Sequence, residues 1–246
     1  MTLTTAQLDR ACGVLLATAA GDALGAGYEF GPPLSPDTPV EMKGGGSFGW
    51  APGEWTDDTS MALAIAETAA TGADLRTERA RDAITARWAG WAADARDVGA
   101  QTRTVLDAVR KGTAAEALAA SRELHERTGH TAGNGSLMRT APVALGFLDD
   151  PAGLTEAATA ISTLTHYDPE TAEACVLWCH AIRHAVLTGD LDARAGLERL
   201  PGSSRARWAQ RLGDAERSRP RDFTRNGWVV EALRASWRAI ATTLVP

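Results

Sequence analysis

The sequence predicts an all-α domain, and three observations predict it. Apolar residues recur at three- and four-residue spacing along most of the chain. The Val/Ile/Thr alternation that marks strands is nearly absent. Helix-start signals stand directly before several of the periodic stretches. With 246 residues, 44% of them hydrophobic, the chain can bury a substantial core. No linker, charge run or low-complexity break divides it, so residues 1–246 read as one domain. No apolar run approaches the ~20 residues of a membrane span, and no basic region leads into an apolar stretch at the N-terminus. The net charge of −6 argues against nonspecific nucleic-acid binding. Three cysteines without a secretion signal point to reduced thiols and a cytoplasmic protein.

Taken in order, residues 5–20 place Leu8, Cys12, Leu15, Leu16 and Ala19 on one stripe, as an amphipathic helix does. "GDALGAGYEF" (21–30) ends that helix at Gly21 and carries Asp22 and Glu29 into a glycine-rich turn, where Glu29 is either a solvated acid or a group of a mobile loop. "KGGGSFGWAPGE" (43–54) is a second glycine-rich loop. Helices are then expected over 57–70, 77–93 (Ile84, Trp88 and Trp91 on one face), 100–111, 114–127, 153–163, 169–187 and 227–242. Trp228, just after a turn, either joins the core or stacks on a flat base.

"GEWTDDTSMALAIAE" (53–67) poses the sharpest question, because Asp57 and Asp58 stand side by side where a helix begins. Negative charge in a first turn suits the helix dipole, and Thr56 is a good cap. Two carboxylates and a hydroxyl on one turn also suit a hard cation such as Mg²⁺. "TAGNGSLMR" (131–139) poses a similar choice between an ordinary Gly-Asn-Gly turn and a loop whose amides approach a phosphate. In "LTHYDPETAEACVLWCH" (164–180), Asp168, Pro169 and Glu170 open a helix, and His166 precedes the cap. The same helix offers Cys175, Cys179, His180 and His184. At ~100° per residue the cysteine pair and the histidine pair are centred roughly 140° apart, so they share no ion, and the cysteines read as core.

In this order, "GDALGAGYEF", "GGGSFGWAPGEWTDDTSMAL", "GNGSLMRTAPVAL", "THYDPETAEA" and "NGWVVEALRASW" resemble the ADP-ribosylglycohydrolase family. The resemblance runs from about residue 11 to 240. It implies a compact all-α fold with a pair of divalent cations, Mg²⁺ or Mn²⁺, in a central cleft. Thr56, Asp57 and Asp58 would be metal ligands. Gly133, Asn134, Gly135 and Ser136, with Met138 nearby, would line the diphosphate and ribose of ADP-ribose, with His166 in the same site. Glu29 would sit on a lid loop near the scissile ribose, making Glu29, Asp57 and Asp58 the catalytic set.

The implied activity is hydrolysis of ADP-ribosylated targets, ADP-ribosyl-arginine on protein foremost. Serine-linked ADP-ribose, O-acetyl-ADP-ribose and modified bases stay open. Partners would be an ADP-ribosylated protein or an ADP-ribose-containing small molecule, with no membrane and no nucleic acid expected. One departure bears on this. The family's last motif, D-x-D-T, supplies the other metal ligands, and after residue 213 the acids here are Asp214, Glu216, Asp222 and Glu231, none at that spacing. The expectation is a chain whose C-terminal part is missing, whose site a second polypeptide completes, or whose activity is impaired. The alternatives to a hydrolase are an ADP-ribose-binding module and a helical interaction scaffold, and self-association through an uncovered groove is a further expectation.

Overall fold

Ten α-helices carry the chain in a computed structural model that describes residues 2–35 and 37–243. They are α1 (Thr5–Gly25), α2 (Asp57–Ala70), α3 (Glu78–Asp94), α4 (Ala100–Leu106) and α5 (Ala114–Thr128). Then come α6 (Ala141–Leu145), α7 (Pro151–Thr163), α8 (Pro169–Thr188), α9 (Gly202–Arg217) and α10 (Val229–Thr242). Among the described residues there is no strand, only isolated antiparallel bridges at Gly45–Trp50 and Gly133–Trp228. No helix among them is long and apolar enough to cross a membrane.

The helix starts follow from local chemistry. Thr4 with Gln7, and Thr113 with Glu116, form reciprocal capping boxes at α1 and α5. Asp150 and Asp168 cap α7 and α8, each followed by a proline, whose missing N–H costs nothing in a first turn. Gly129 (φ 64°) and Gly189 (φ 90°) end α5 and α8 in the left-handed conformation.

Helix α8 is the hub, packing against α1, α6, α7 and α10. Around it Met61, Ile65, Ile84, Trp88, Leu154 and Leu177 are all but fully buried, each stabilising by roughly 1.5–3 kcal/mol through area removed from water. A smaller cluster joins α9 to α10 through Leu212, Ala215 and Trp237. Cys175 and Cys179 lie in the main core, as their helical position predicts, and Cys12 is exposed.

Several expectations need correction. Helix α1 runs to Gly25, so Asp22 sits on its last turn rather than in a loop. The stripe of Leu8, Cys12, Leu15 and Leu16 faces solvent, with Leu16 at 71% exposure. Helix α1 is instead tied to the end of α8 by Gln7 and Arg10, which donate to the Leu187 and Val186 carbonyls at 3.0 and 2.9 Å. Helix α4 stops at Leu106, short of residue 111. Helices α6 and α9 have no counterpart among the expected elements.

Candidate active site

The site begins with the two glycine-rich loops that bring α1 to α2. Gly44, Gly45, Gly46, Gly49 and Gly53 all take positive φ, which only glycine adopts freely. A Cβ at Gly44 would lie 2.4 Å from the Trp50 carbonyl oxygen, and one at Gly27 2.2 Å from the Gly44 carbonyl oxygen. The loop therefore seats against the end of α1 backbone to backbone. Phe30, next to Glu29, holds φ 60°, a strained value for a bulky side chain. Its ring meets Phe48 at 6.2 Å, and Phe48 meets Trp50 at 5.9 Å.

This packing delivers Asp22 to the start of α2. Its carboxylate accepts from the Thr56 amide (2.9 Å) and hydroxyl (2.7 Å), and from the Thr59 amide (3.0 Å) and hydroxyl (2.6 Å). Thr56 is the N-cap residue, yet its side chain makes no capping hydrogen bond, because its hydroxyl is given to Asp22. Both threonines of T-D-D-T thus fasten the turn to α1 and leave Asp57 and Asp58 as the first two residues of α2.

Those two carboxyls sit among others. Burial first, then Asp97, Glu29 and Asp22, push the Asp57 carboxyl up to about 7. Asp58 is raised well above its usual range, by burial and then by Asp57, Asp22, Glu29 and Asp97. Glu29 lies exposed on its loop, and partial desolvation followed by the charges of Asp97 and Asp22 raises it too. Asp97 is raised chiefly by burial, against the pull of the Asp57 amide. Asp97 is the member that the sequence does not disclose. It stands in "ARDVGA", after α3, in no motif, and only the tertiary fold carries it to Asp57.

The G-N-G loop is built differently from expectation. Gly133 (φ −67°) has ordinary backbone geometry, and Gly135 is not among the residues at positive φ. Their role is room: a Cβ at Gly133 would lie 3.2 Å from His166 Nε2, and one at Gly135 2.9 Å from His166 Cε1. The Asn134 amide is committed to the Gly227 carbonyl (3.0 Å), and the Val229 amide donates to Ala132 (2.9 Å). "NGWVV" therefore clamps "GNG". Ser136 turns into the core, where Ser162 Oγ donates to it at 3.0 Å. Trp228 is partly buried, its indole N–H donating to Glu170 at 3.2 Å.

His166 is buried, not a loop group reaching outward, at 2% exposure. A relay fixes it: Arg139 Nη2 donates to Thr165 Oγ1 (2.6 Å), which lies 2.8 Å from His166 Nδ1. Burial and then the Arg139 charge hold the imidazole well below its usual pKa, so it is neutral. Arg139 is itself fully buried, stacked on Trp88 at 4.0 Å, with its Nε unpartnered. Burial lowers its pKa, partly offset by Cys175 and Asp57. It stands in plain sight in "GNGSLMR", but nothing local signals a buried cation.

The two halves meet at a cleft of about 450 Å³, lined by Asp58, Asn134, Met138 and Trp178 with residues of α1 and α10. A second cavity of about 600 Å³ adjoins the same turn and is lined by Thr56, Ser60, Trp55, Trp91 and Asp97. Asp57, Asp58 and Thr56 supply hard oxygen donors whose mutual repulsion a divalent cation would relieve. Among the described residues no three His, Cys, Asp or Glu side chains are grouped to hold a metal ion.

Comparison with known proteins agrees with this architecture. The chain is 33% identical to the ADP-ribosylarginine hydrolase Tri1 of Pseudomonas putida (strain GB-1), over 97% of this chain and 63% of that protein. It is 32% identical to the ADP-ribosyl-dinitrogen-reductase glycohydrolase of Rhodospirillum rubrum, over 72% of this chain and 58% of that one. The chain thus spans less than two thirds of the length of these curated relatives. Among solved structures, an ADP-ribosylglycohydrolase-related protein complex superposes with a TM-score of 0.64 at 30% identity, covering 97% of this chain and 77% of that one. Residues 3–244 match the sequence profile of ADP-ribosylglycohydrolase, and the chain belongs to the ADP-ribosylglycohydrolase family.

Proposed function

We propose that the protein takes part in hydrolysing the N-glycosidic bond of ADP-ribosyl-arginine on protein, releasing ADP-ribose. The observation that carries this reading is the shared cleft: Asp58 of the acidic turn and Asn134 and Met138 of the glycine loop line one cavity. ADP-ribosylarginine hydrolase is also what two similar relatives are named for.

In this reading Asp57 and Asp58, with Thr56 on the same turn, hold Mg²⁺ or Mn²⁺. A cation held there would supply Lewis acidity for breaking the glycosidic bond. The chain's own residues do the rest. Asp22 fixes the height and direction of the acidic turn through its four hydrogen bonds. Neutral His166, seated against Gly133 and Gly135, sets the floor on which Asn134 and Met138 meet ADP-ribose. Glu29 and Asp97, both raised toward neutrality, are groups able to carry a proton to the departing guanidino nitrogen as water adds at C1 of the ribose. The edge-on contact of Phe30 with Phe48 helps hold the Glu29 loop in place.

The test is release of free ADP-ribose from an ADP-ribosyl-arginine peptide in the presence of Mg²⁺ or Mn²⁺. Turnover that vanishes in Asp57→Asn and Asp58→Asn and on chelation supports the reading; turnover indifferent to both rejects it.

A further inference from the structure

We propose that the cavity on the far side of the α2 turn, walled by Trp50, Trp55, Trp91, Glu54, Asp94 and Asp97, seats the arginine side chain of the target. This deepens the hydrolase reading and rests on it, because it names the part of the substrate that leaves.

The two cavities flank one turn. The 450 Å³ cleft is reached by Asp58 and the glycine loop; the 600 Å³ cavity is reached by Thr56 and Asp97. ADP-ribosyl-arginine has two ends of opposite charge joined at one ribose carbon. A nucleotide diphosphate is repelled by a wall that carries three carboxylates, and a guanidinium is attracted by it. The aromatic walls add the second element of guanidinium recognition, a flat π face for a flat, weakly hydrated cation.

The cavity already displays that recognition on one of its own residues. The Arg96 guanidinium lies 4.4 Å from the centre of the Trp50 ring, pairs with Glu54, and donates to the Phe48 carbonyl at 3.3 Å. Among the described residues Arg96 is the one basic residue lining this cavity. Beyond Arg96, Trp55 keeps 47% of its surface exposed, and Trp91 is only partly buried. Behind these walls Trp50 Nε1 and Asp97 Oδ2 are buried without a hydrogen-bond partner, so the ring and the carboxylate are held by packing rather than by hydrogen bonds at those atoms. An arginine residue in a peptide brings N–H donors for the carboxylates of Asp94 and Asp97 on this wall. Asp97 stands at the junction with the acidic turn, so an arginine bound here points its modified nitrogen toward the ribose.

The experiment follows the indole N–H resonances of the intact chain, which has eight tryptophans. The probes are Nα-acetyl-arginine methylamide, its neutral citrulline counterpart, and ADP-ribose. The arginine probe is expected to shift the Trp50, Trp55 and Trp91 signals in a saturable way, and the citrulline probe to bind roughly tenfold more weakly. Trp55→Ala, at an exposed position, is expected to weaken the arginine response roughly threefold or more while leaving the shifts caused by ADP-ribose intact. Absence of any arginine-induced shift, equal binding of citrulline, or an arginine response unchanged in Trp55→Ala overturns the proposal. The ADP-ribose arm is read separately: its failure to perturb Trp178 in the other cleft counts against the hydrolase reading and leaves the arginine result standing.

Discussion

Asp57→Asn should stabilise the cation-free protein above neutral pH. The Asp57 carboxyl rises from 3.8 to about 7 on folding, a shift of about 3 units or about 4 kcal/mol. Asp57 is half-buried, and solvent screening reduces that to roughly 2 kcal/mol. The sign follows from proton binding: a carboxyl raised by folding holds its proton more tightly in the folded chain. Its penalty is absent below the unfolded value near 3.8, grows as pH climbs toward 7, and is complete above it. The variant removes the penalty and gives up about 0.5 kcal/mol of charge–dipole stabilisation at the start of α2. For a chain of this size each kcal/mol moves the melting temperature by about 2–4 °C, so the variant should melt roughly 3–6 °C higher at pH 8 with chelator. The gap should close at pH 4. Mn²⁺ should raise the wild type and not the variant. Calorimetric or circular-dichroism melts at both pH values decide it. A variant that melts at or below the wild type at pH 8 with chelator would refute the claim that burial, and then repulsion from neighbouring carboxylates, disfavours the Asp57 charge in the folded chain.

Asp22→Ala orphans two amides and two hydroxyls of Thr56 and Thr59. It should cost about 2–3 kcal/mol in a denaturant titration, part of the loss being offset by one fewer negative charge beside Asp57. Gly135→Ala places its methyl 2.9 Å from His166 Cε1. It should destabilise by about 1–3 kcal/mol and weaken ADP-ribose binding in isothermal titration, whereas Gly129→Ala, at a left-handed position that does not line the cleft, should cost stability alone. Arg139→Met removes a fully buried cation held by Thr165 and the Trp88 ring rather than by an ion pair among the described residues. Thermal melts should show it folded and within about 2 kcal/mol of the wild type, while NMR titration of His166 should show its imidazole pKa rising once the neighbouring charge is gone.

The parts of the fold legible in sequence are those written in local chemistry. Asp168-Pro169-Glu170 announces α8, and the apolar spacing of 57–70 and 77–93 gives α2 and α3 to within a residue. Helix α9 escapes because it opens on Pro201-Gly202-Ser203-Ser204, which reads as a turn, and buries only Ser204, Trp208, Leu212 and Ala215 among arginines. Helix α1 misleads in a different way: its periodic leucines are real, but the face they mark is left open to solvent. The candidate site divides along the same line. Asp57 and Asp58 stand together in sequence and in space, and Asn134 and Met138 do meet Asp58 in one cleft. Asp97 and Arg139 act through contacts made only by folding. The glycines flanking Asn134 are informative for a reason that no spacing reveals, the bulk of His166 against them.

The central claim is that the acidic turn and the glycine loop form one cation-dependent site for ADP-ribose. Isothermal titration of ADP-ribose into the intact chain, with Mn²⁺ and then with chelator, tests it most directly. The account predicts a single site, weakened at least tenfold by chelation and equally in Asp58→Asn, whose side chain lines the shared cleft. No binding, or binding of the same strength with chelator and in Asp58→Asn, would contradict it.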